Sequence, residues 1–399
     1  MAEGRIGLVN APCGIGKSIA VLTAFLMARD TSLPEGQDKL MVLTRTKAQL
    51  EIYVRELRRL REVLGLDLRA AVFASRQDMC PLRLEVEALA KARYKDFLRT
   101  CRQMRRGATL TCPYYEATYG SRMRLSSAAL RAIRTVMSRG AVLPSEVVSV
   151  CRDVGVCAYE VVKCAARRAE VLIGNYNYLL LKPVREAILW RFDVELCDLN
   201  CVVDEAHNVD KWAVDVASDE ISSFSFRRAD KEADEYGVED RGLFPTMADF
   251  IDKMALETYK LYGPDYERLI DPDVLADLLV GELGLTGQRL LLSFLRFLEE
   301  EGDKIRLSKA GEGEAPVSYV GRCASFLLDF LRLRGPEFAH YSLAVEGGGE
   351  LRGRLGVRCL DPSFTAEVMN ELRSLVLMSG TLWDPDYYVE VLGLGRGRA

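Results

Sequence analysis

Histidine is nearly missing from this sequence of 399 residues, which holds only His207 and His340. Mixed Cys/His zinc sites and histidine-based nucleophile triads therefore have little material to work with. Long apolar runs are absent as well. Stretches such as 22–27 and 290–295 are soon interrupted by polar or charged residues, far short of the ~20 residues needed to cross a bilayer. The opening Met-Ala-Glu-Gly-Arg lacks the basic, apolar and small-residue succession of a secretory signal, so a cytoplasmic protein with no membrane segment is expected. There is no basic excess either. The net charge of −4 argues against a cationic coat over the whole surface and leaves room for a local basic groove. Residues 91–106, KARYKDFLRTCRQMRR, supply many cations with a single Asp, whereas 230–240 is strongly acidic. The basic run suits a phosphate backbone; a solvated helix face is the alternative.

What is present is a globular composition, 49% hydrophobic and 28% charged, in a chain long enough for two or three packed domains. Strand patterns at 5–9, 39–44 and 68–74 alternate with helical patterns at 19–29 and 48–64, which predicts an α/β fold with a parallel sheet and crossover helices. A basic, cysteine-bearing helical stretch interrupts the alternation at about 76–164, and strands return at 170–173 and 199–203. From about 212 to 334 the pattern is amphipathic helix, as at 273–283 and 288–301. Strand patterns at 341–345, 354–359 and 375–378 are expected to resume the same sheet.

Two motifs carry chemistry. Ala-Pro-Cys-Gly-Ile-Gly-Lys-Ser at 11–18 lies between a strand and a helix, where small residues let backbone N–H groups turn toward phosphate oxygens. Gly14, Ile15, Gly16, Lys17, Ser18 and Ile19 are the expected nucleotide contacts. Lys17 would reach the β- and γ-phosphates, and the Ser18 hydroxyl would ligate Mg²⁺. Asp-Glu-Ala-His at 204–207 ends a strand in two adjacent carboxylates. Asp204 can hold the Mg²⁺ shell, Glu205 can orient or deprotonate the attacking water, and His207 would couple the site to neighbouring motifs. Eleven cysteines in a chain without an export signal do not form a disulfide framework in a reducing compartment. Some can bind metal, while buried structural cysteines are the plainer alternative.

Together with Thr-Arg-Thr at 44–46, Ser-Arg-Gln-Asp-Met-Cys at 75–80, Asn-Tyr-Asn-Tyr-Leu-Leu at 175–180 and Met-Ser-Gly-Thr-Leu at 378–382, these motifs resemble, in order, those of the XPD-like superfamily 2 DNA helicases, which include DinG-like and FancJ-like proteins. The resemblance implies a RecA-like parallel-sheet motor domain carrying an inserted iron-sulfur domain and an inserted helical arch. The expected boundaries are 1–75, 166–212 and 341–383 for the motor, 76–165 for the cluster domain, 213–340 for the arch, and 384–399 for the start of a second motor domain. It further implies ATP, Mg²⁺ and a 4Fe–4S cluster as cofactors, the cluster held by Cys80, Cys101, Cys112 and Cys157. Cys151 and Cys164 are the alternatives, and Cys13, Cys197, Cys201, Cys323 and Cys359 are expected in cores. Single-stranded or forked DNA is the implied partner, met by Thr44, Arg45, Thr46 and Arg76, with Tyr178, Tyr176 and Tyr159 as possible stacking faces. Ser379 and Thr381 resemble the motif that couples hydrolysis to strand movement.

Two departures from the family pattern shape the functional expectation. The segment carrying the family's adenine-reading glutamine is not found, and the sequence stops soon after Ser-Gly-Thr-Leu, before the second motor domain and its arginine finger. Such a finger is worth ~10³ or more in rate, so weak hydrolysis by this chain alone is expected, with a separate chain as one possible source of the missing motor. The reading is a 5′-to-3′ DNA-repair helicase motor. The alternative is a catalytically deficient iron-sulfur module that binds DNA or a partner.

Overall fold

Three short apolar segments near the start, Ile6–Asn10, Leu40–Thr44 and Ala70–Val72, become strands β1, β2 and β3. Later come β4 (Val171–Asn175), β5 (Asn200–Asp204), β6 (Asp219–Ser222), β7 (Glu267–Leu269), β8 (Phe338–Gly347), β9 (Glu350–Cys359) and β10 (Ser374–Ser379). The structure is a computed structural model that describes residues 3–31, 33, 38–107, 109–120, 123–347 and 350–395. It divides into two compact units: Met1–Glu85, Cys112–Ala213 and Pro362–Ala399 form the first, and Val86–Thr111 with Val214–Asp361 form the second.

In the first unit six strands pair in the order β1-β10-β5-β2-β4-β3, every pair parallel. Strands covered on both faces read as near-continuous apolar runs, and β2 does so: Met41 and Leu43 enter one core while Leu40 and Val42 enter the other. The helix Lys47–Leu64 shows how local sequence fixes an element. Thr46 accepts from the Gln49 N–H, the Gln49 side chain returns to the Thr46 N–H, and Gly65 closes the far end with a left-handed φ of 65°. Its buried residues Leu50, Tyr53, Val54, Leu57 and Leu60 follow the spacing of one helix face.

The second unit packs helices Ser223–Tyr236, Leu243–Tyr262, Gln288–Gly311 and Tyr319–Arg332 against a four-stranded sheet of order β6-β9-β8-β7. Helix Tyr94–Arg106 joins this unit, although its sequence lies within the stretch expected to form a cluster domain. β8 and β9 correct a further expectation. The segments 341–345 and 354–359 do not resume the parallel sheet; they pair with each other in antiparallel register, and only β10 rejoins the first sheet. Strands separated by only two residues can pair only antiparallel, whereas a parallel pair needs a long crossover. Cysteine burial is also more varied than expected: Cys201, Cys323 and Cys359 are buried, while Cys13 and Cys197 are exposed.

No helix among the described residues is long and apolar enough to cross a membrane.

Candidate nucleotide site

Parallel strands deliver their carboxyl ends to one edge of a sheet, which is where open α/β sheets bind ligands. Here that edge gathers the residues after β1, β10, β5 and β2, which are neighbours in that order. After Asn10 the chain turns through Gly14 and Gly16, at φ of 83° and 92°, before helix Lys17–Thr31 begins. Those positive angles favour glycine and shape the loop into a nest of N–H groups at a helix N-terminus. Lys17 Nζ donates to the carbonyls of Ala11 at 2.8 Å and Pro12 at 3.1 Å, so its charge lies over the loop. The Ala11 N–H donates to the Ser379 carbonyl at 2.9 Å, tying the loop to the end of β10.

β5 brings the two carboxylates to the same edge. Asp204 is buried, and desolvation, with Glu205 as an added like charge, raises its carboxyl pKa above the ordinary value. Glu205 adopts a left-handed backbone, φ 53° and ψ 41°, a conformation costing a bulky L-residue roughly 1–2 kcal/mol. Its N–H donates to Asp204 Oδ1 at 3.0 Å, and the Tyr176 hydroxyl donates to the carbonyls of both Asp204 and Glu205, at 2.6 and 3.0 Å. The strained turn is thus held from below by a buried tyrosine.

A polar chain leads outward from Glu205. Ser379 Oγ donates to Glu205 Oε2 at 3.2 Å, and His207 Nδ1 lies 2.6 Å from Ser379 Oγ and 3.2 Å from Glu205 Oε2. On its other side, His207 Nε2 lies 2.7 Å from Asn208 Nδ2, and Arg45 donates to Asn208 Oδ1 at 2.9 Å. Thr381 donates its N–H to Ser379 Oγ at 3.2 Å. Arg45 and Thr46 are exposed at this edge, whereas Thr44 is buried and its hydroxyl faces the Gly174 carbonyl at 3.5 Å.

Sequence reasoning missed two residues. Tyr53 is fully buried, its hydroxyl 3.2 Å from Asp204 Oδ2 and hydrogen-bonded with Ser18, so it joins the two groups expected to share a metal. Burial and the neighbouring Asp204 raise its pKa, keeping the donor protonated. It occupies an ordinary core position of an amphipathic helix, and no sequence signal distinguishes it. Asn208 sits directly beside the acidic motif and was open to notice.

Other expected site residues are turned away from solvent. Tyr178 is buried against Phe73, ring centroids 5.1 Å apart, and donates to the Ala74 carbonyl; its ring faces are packed rather than offered to a base, which corrects that expectation. Tyr176 and Tyr159 are buried as well. Arg76 is turned inward, paired with buried Glu160 at 3.0 Å and stacked over the Tyr159 ring at 3.8 Å.

Of the four expected cluster ligands, two head neighbouring helices. Cys112 and Cys157 stand at the N-termini of helices Pro113–Thr118 and Ala158–Ala165. The Cys157 N–H donates to the Tyr114 carbonyl and Thr118 Oγ1, which ties the start of one helix to the other. Cys101 belongs to the second unit. Among the described residues, no three His, Cys, Asp or Glu side chains are assembled as a metal site. Thiolate ligation suits such a cluster, and helix N-termini favour thiolates. Cys151 is buried, which pushes its thiol up to about 12.

A six-stranded parallel sheet with a glycine-bearing loop between β1 and a helix, and an acidic pair closing β5, has the arrangement of a P-loop α/β domain. Comparison with known proteins narrows the class. Residues 42–226 match the DEAD_2 family model. Over 249 residues the chain is 24% identical to the general transcription and DNA repair factor IIH helicase subunit XPD/RAD3 of Saccharomyces cerevisiae, a match covering 58% of this chain and 30% of the yeast protein. A solved XPD helicase superposes with a TM-score of 0.65 at 17% identity, over 98% of this chain and 57% of that one. A truncated XPD superposes with a TM-score of 0.62 at 18% identity, over 98% and 93%. The chain thus resembles DEAD_2 proteins over its residues 42–226 and shares the fold of solved XPD structures; it spans less than two thirds of the longer relatives.

Proposed function

We propose that the chain is the ATP-binding half of a DNA-unwinding motor acting in DNA repair, with the 5′-to-3′ polarity its resemblance implies. The observation that carries this reading is the hydrogen-bonded chain from Glu205 through Ser379, His207 and Asn208 to exposed Arg45. It joins the water-activating carboxylate to a residue displayed for a phosphate backbone. ATP–Mg²⁺ would be held by the loop from Gly14 to Ile19, with Lys17 on the phosphates and Ser18 and Asp204 on the metal. Glu205 would orient or deprotonate the attacking water, the role phosphoryl transfer requires. A strand lying on Arg45 and Thr46 would shift Asn208 and His207, and through them Glu205. A second motor domain, on the same or another polypeptide, would supply the charge that completes the site. Intact Lys17, Ser18, Asp204 and Glu205 favour this over a binding module without turnover.

The test is ATP hydrolysis with and without single-stranded DNA, in the presence of a second motor domain. Turnover should rise at least ~10-fold with DNA, and Arg45→Ala should remove most of that rise while leaving the DNA-free rate in place. Turnover indifferent to DNA would contradict the motor reading.

Cys80, Cys101, Cys112 and Cys157 would hold the 4Fe–4S cluster, which would brace the two helices that Cys112 and Cys157 cap. Anaerobically purified protein should carry about four irons per chain, with the content reduced by serine at each of the four positions. Iron-free, folded protein would remove the cluster from the account.

A further inference from the structure

The second unit contains a cavity of about 830 Å³ that shares no residue with the nucleotide site. Its walls are helix Tyr94–Arg106, β6, β9 and helix Tyr319–Arg332. Lys95, Arg99 and Arg102 all line it, spaced to share one helix face, so the basic run of the sequence finds its place here. Seven basic and four acidic side chains line the cavity; Glu299 and Asp303, outside the lining, also pair with its arginines, which leaves one cation in excess. Three of the four acids are already engaged. Asp219 takes both Arg322 nitrogens at 2.8 Å and Lys95 at 3.3 Å, Glu220 takes Arg354 at 2.7 Å and the Tyr341 hydroxyl at 3.0 Å, and Asp96 takes Arg306 at 2.8 Å. Burial, with Asp219 nearby, raises the pKa of the fourth, Asp329. Arg93 and Arg102 are exposed on the cavity wall, with no ion-pair partner among the described residues.

Like charges crowded into a half-enclosed site repel one another, and an anion relieves that repulsion. Guanidinium groups match phosphate geometry better than any other side chain. The volume lies within the roughly 300–1,000 Å³ of small-molecule sites, and Tyr94 and Tyr319 add ring surface to the wall. We propose that this cavity is a binding site for a small, multiply phosphorylated ligand of the nucleotide type, with Arg93 and Arg102 as its phosphate contacts. The proposal does not depend on the helicase reading, because every residue it uses lies in the second unit.

Inorganic pyrophosphate is the probe, titrated calorimetrically into the full chain carrying Lys17→Ala so that the phosphate loop is silent. In that background, Arg93→Ala/Arg102→Ala should weaken pyrophosphate binding at least ~10-fold. Lys253→Ala/Lys260→Ala, which removes two exposed cations elsewhere in the unit, should leave it unchanged, and both double variants should melt with the parent. A parallel titration with a single-stranded oligonucleotide separates free phosphates from a nucleic-acid backbone. Loss of strand binding without loss of pyrophosphate binding would overturn the small-ligand claim. So would pyrophosphate binding that ignores Arg93 and Arg102, or none up to about 1 mM.

Discussion

The Asp204 carboxylate is costly to the empty protein. It is buried, lies beside Glu205, and receives one side-chain hydrogen bond, from Tyr53, besides the Glu205 N–H. A carboxylate whose pKa is raised on folding opposes folding wherever both states are ionised; that cost is relieved as pH falls through the folded-state value. Asp204→Asn should therefore raise the melting temperature of nucleotide-free protein at pH 7. The gain should shrink on acidification and vanish once the unfolded carboxylate is also protonated, near pH 3. A melting curve unchanged at pH 7 would show that Tyr53 and the loop already offset the burial. The backbone strain at Glu205 belongs to the same pattern: stability is sacrificed where the site needs two adjacent carboxylates pointing different ways.

Among the elements, the crossing of helices Gln288–Gly311 and Tyr319–Arg332 turns on two glycines. A Cβ on Gly302 would fall 2.3 Å from Gly321 Cα, and one on Gly321 would fall 2.6 Å from the Arg306 guanidinium. The close approach lets Arg306, 2% exposed, reach Asp96 at 2.8 Å and Asp303 at 3.0 Å, fastening helix Tyr94–Arg106 within its unit. Removing one partner of a buried pair leaves a charge uncompensated. Arg306→Ala should cost about 3–5 kcal/mol in urea unfolding, and pairing Arg306→Met with Asp96→Asn should recover part of it. A loss below ~1 kcal/mol would mean that water reaches Asp96 freely.

The elements also show what a sequence can disclose. The phosphate loop and acidic motif were legible because each combines a local pattern with a strand end, and β1, β2, β4 and β5 lie within a residue or two of their expected positions. Pairing partners were not legible: β8 and β9 have the composition of any half-buried strand, and nothing local says which sheet they enter. Tyr53 was hidden for the same reason, since its role depends on Ser18 and on Asp204, 151 positions away.

At the scale of the whole molecule, the two units divide the labour. The first holds the parallel sheet and the candidate ATP site; the second holds a basic cavity stiffened by ion pairs. The XPD-like fold extends over nearly all of the chain, yet fold alone does not assign activity. Lys17, Ser18, Asp204 and Glu205 are proposed to form a working ATP–Mg²⁺ site. Its most direct test is equilibrium ATP binding with and without Mg²⁺, in wild type, Lys17→Ala and Asp204→Asn. The account predicts that Mg²⁺ tightens ATP at least ~10-fold in wild type, that Asp204→Asn abolishes this metal dependence, and that Lys17→Ala weakens binding in both conditions. Binding that ignores Mg²⁺, or metal dependence that survives Asp204→Asn, would contradict it.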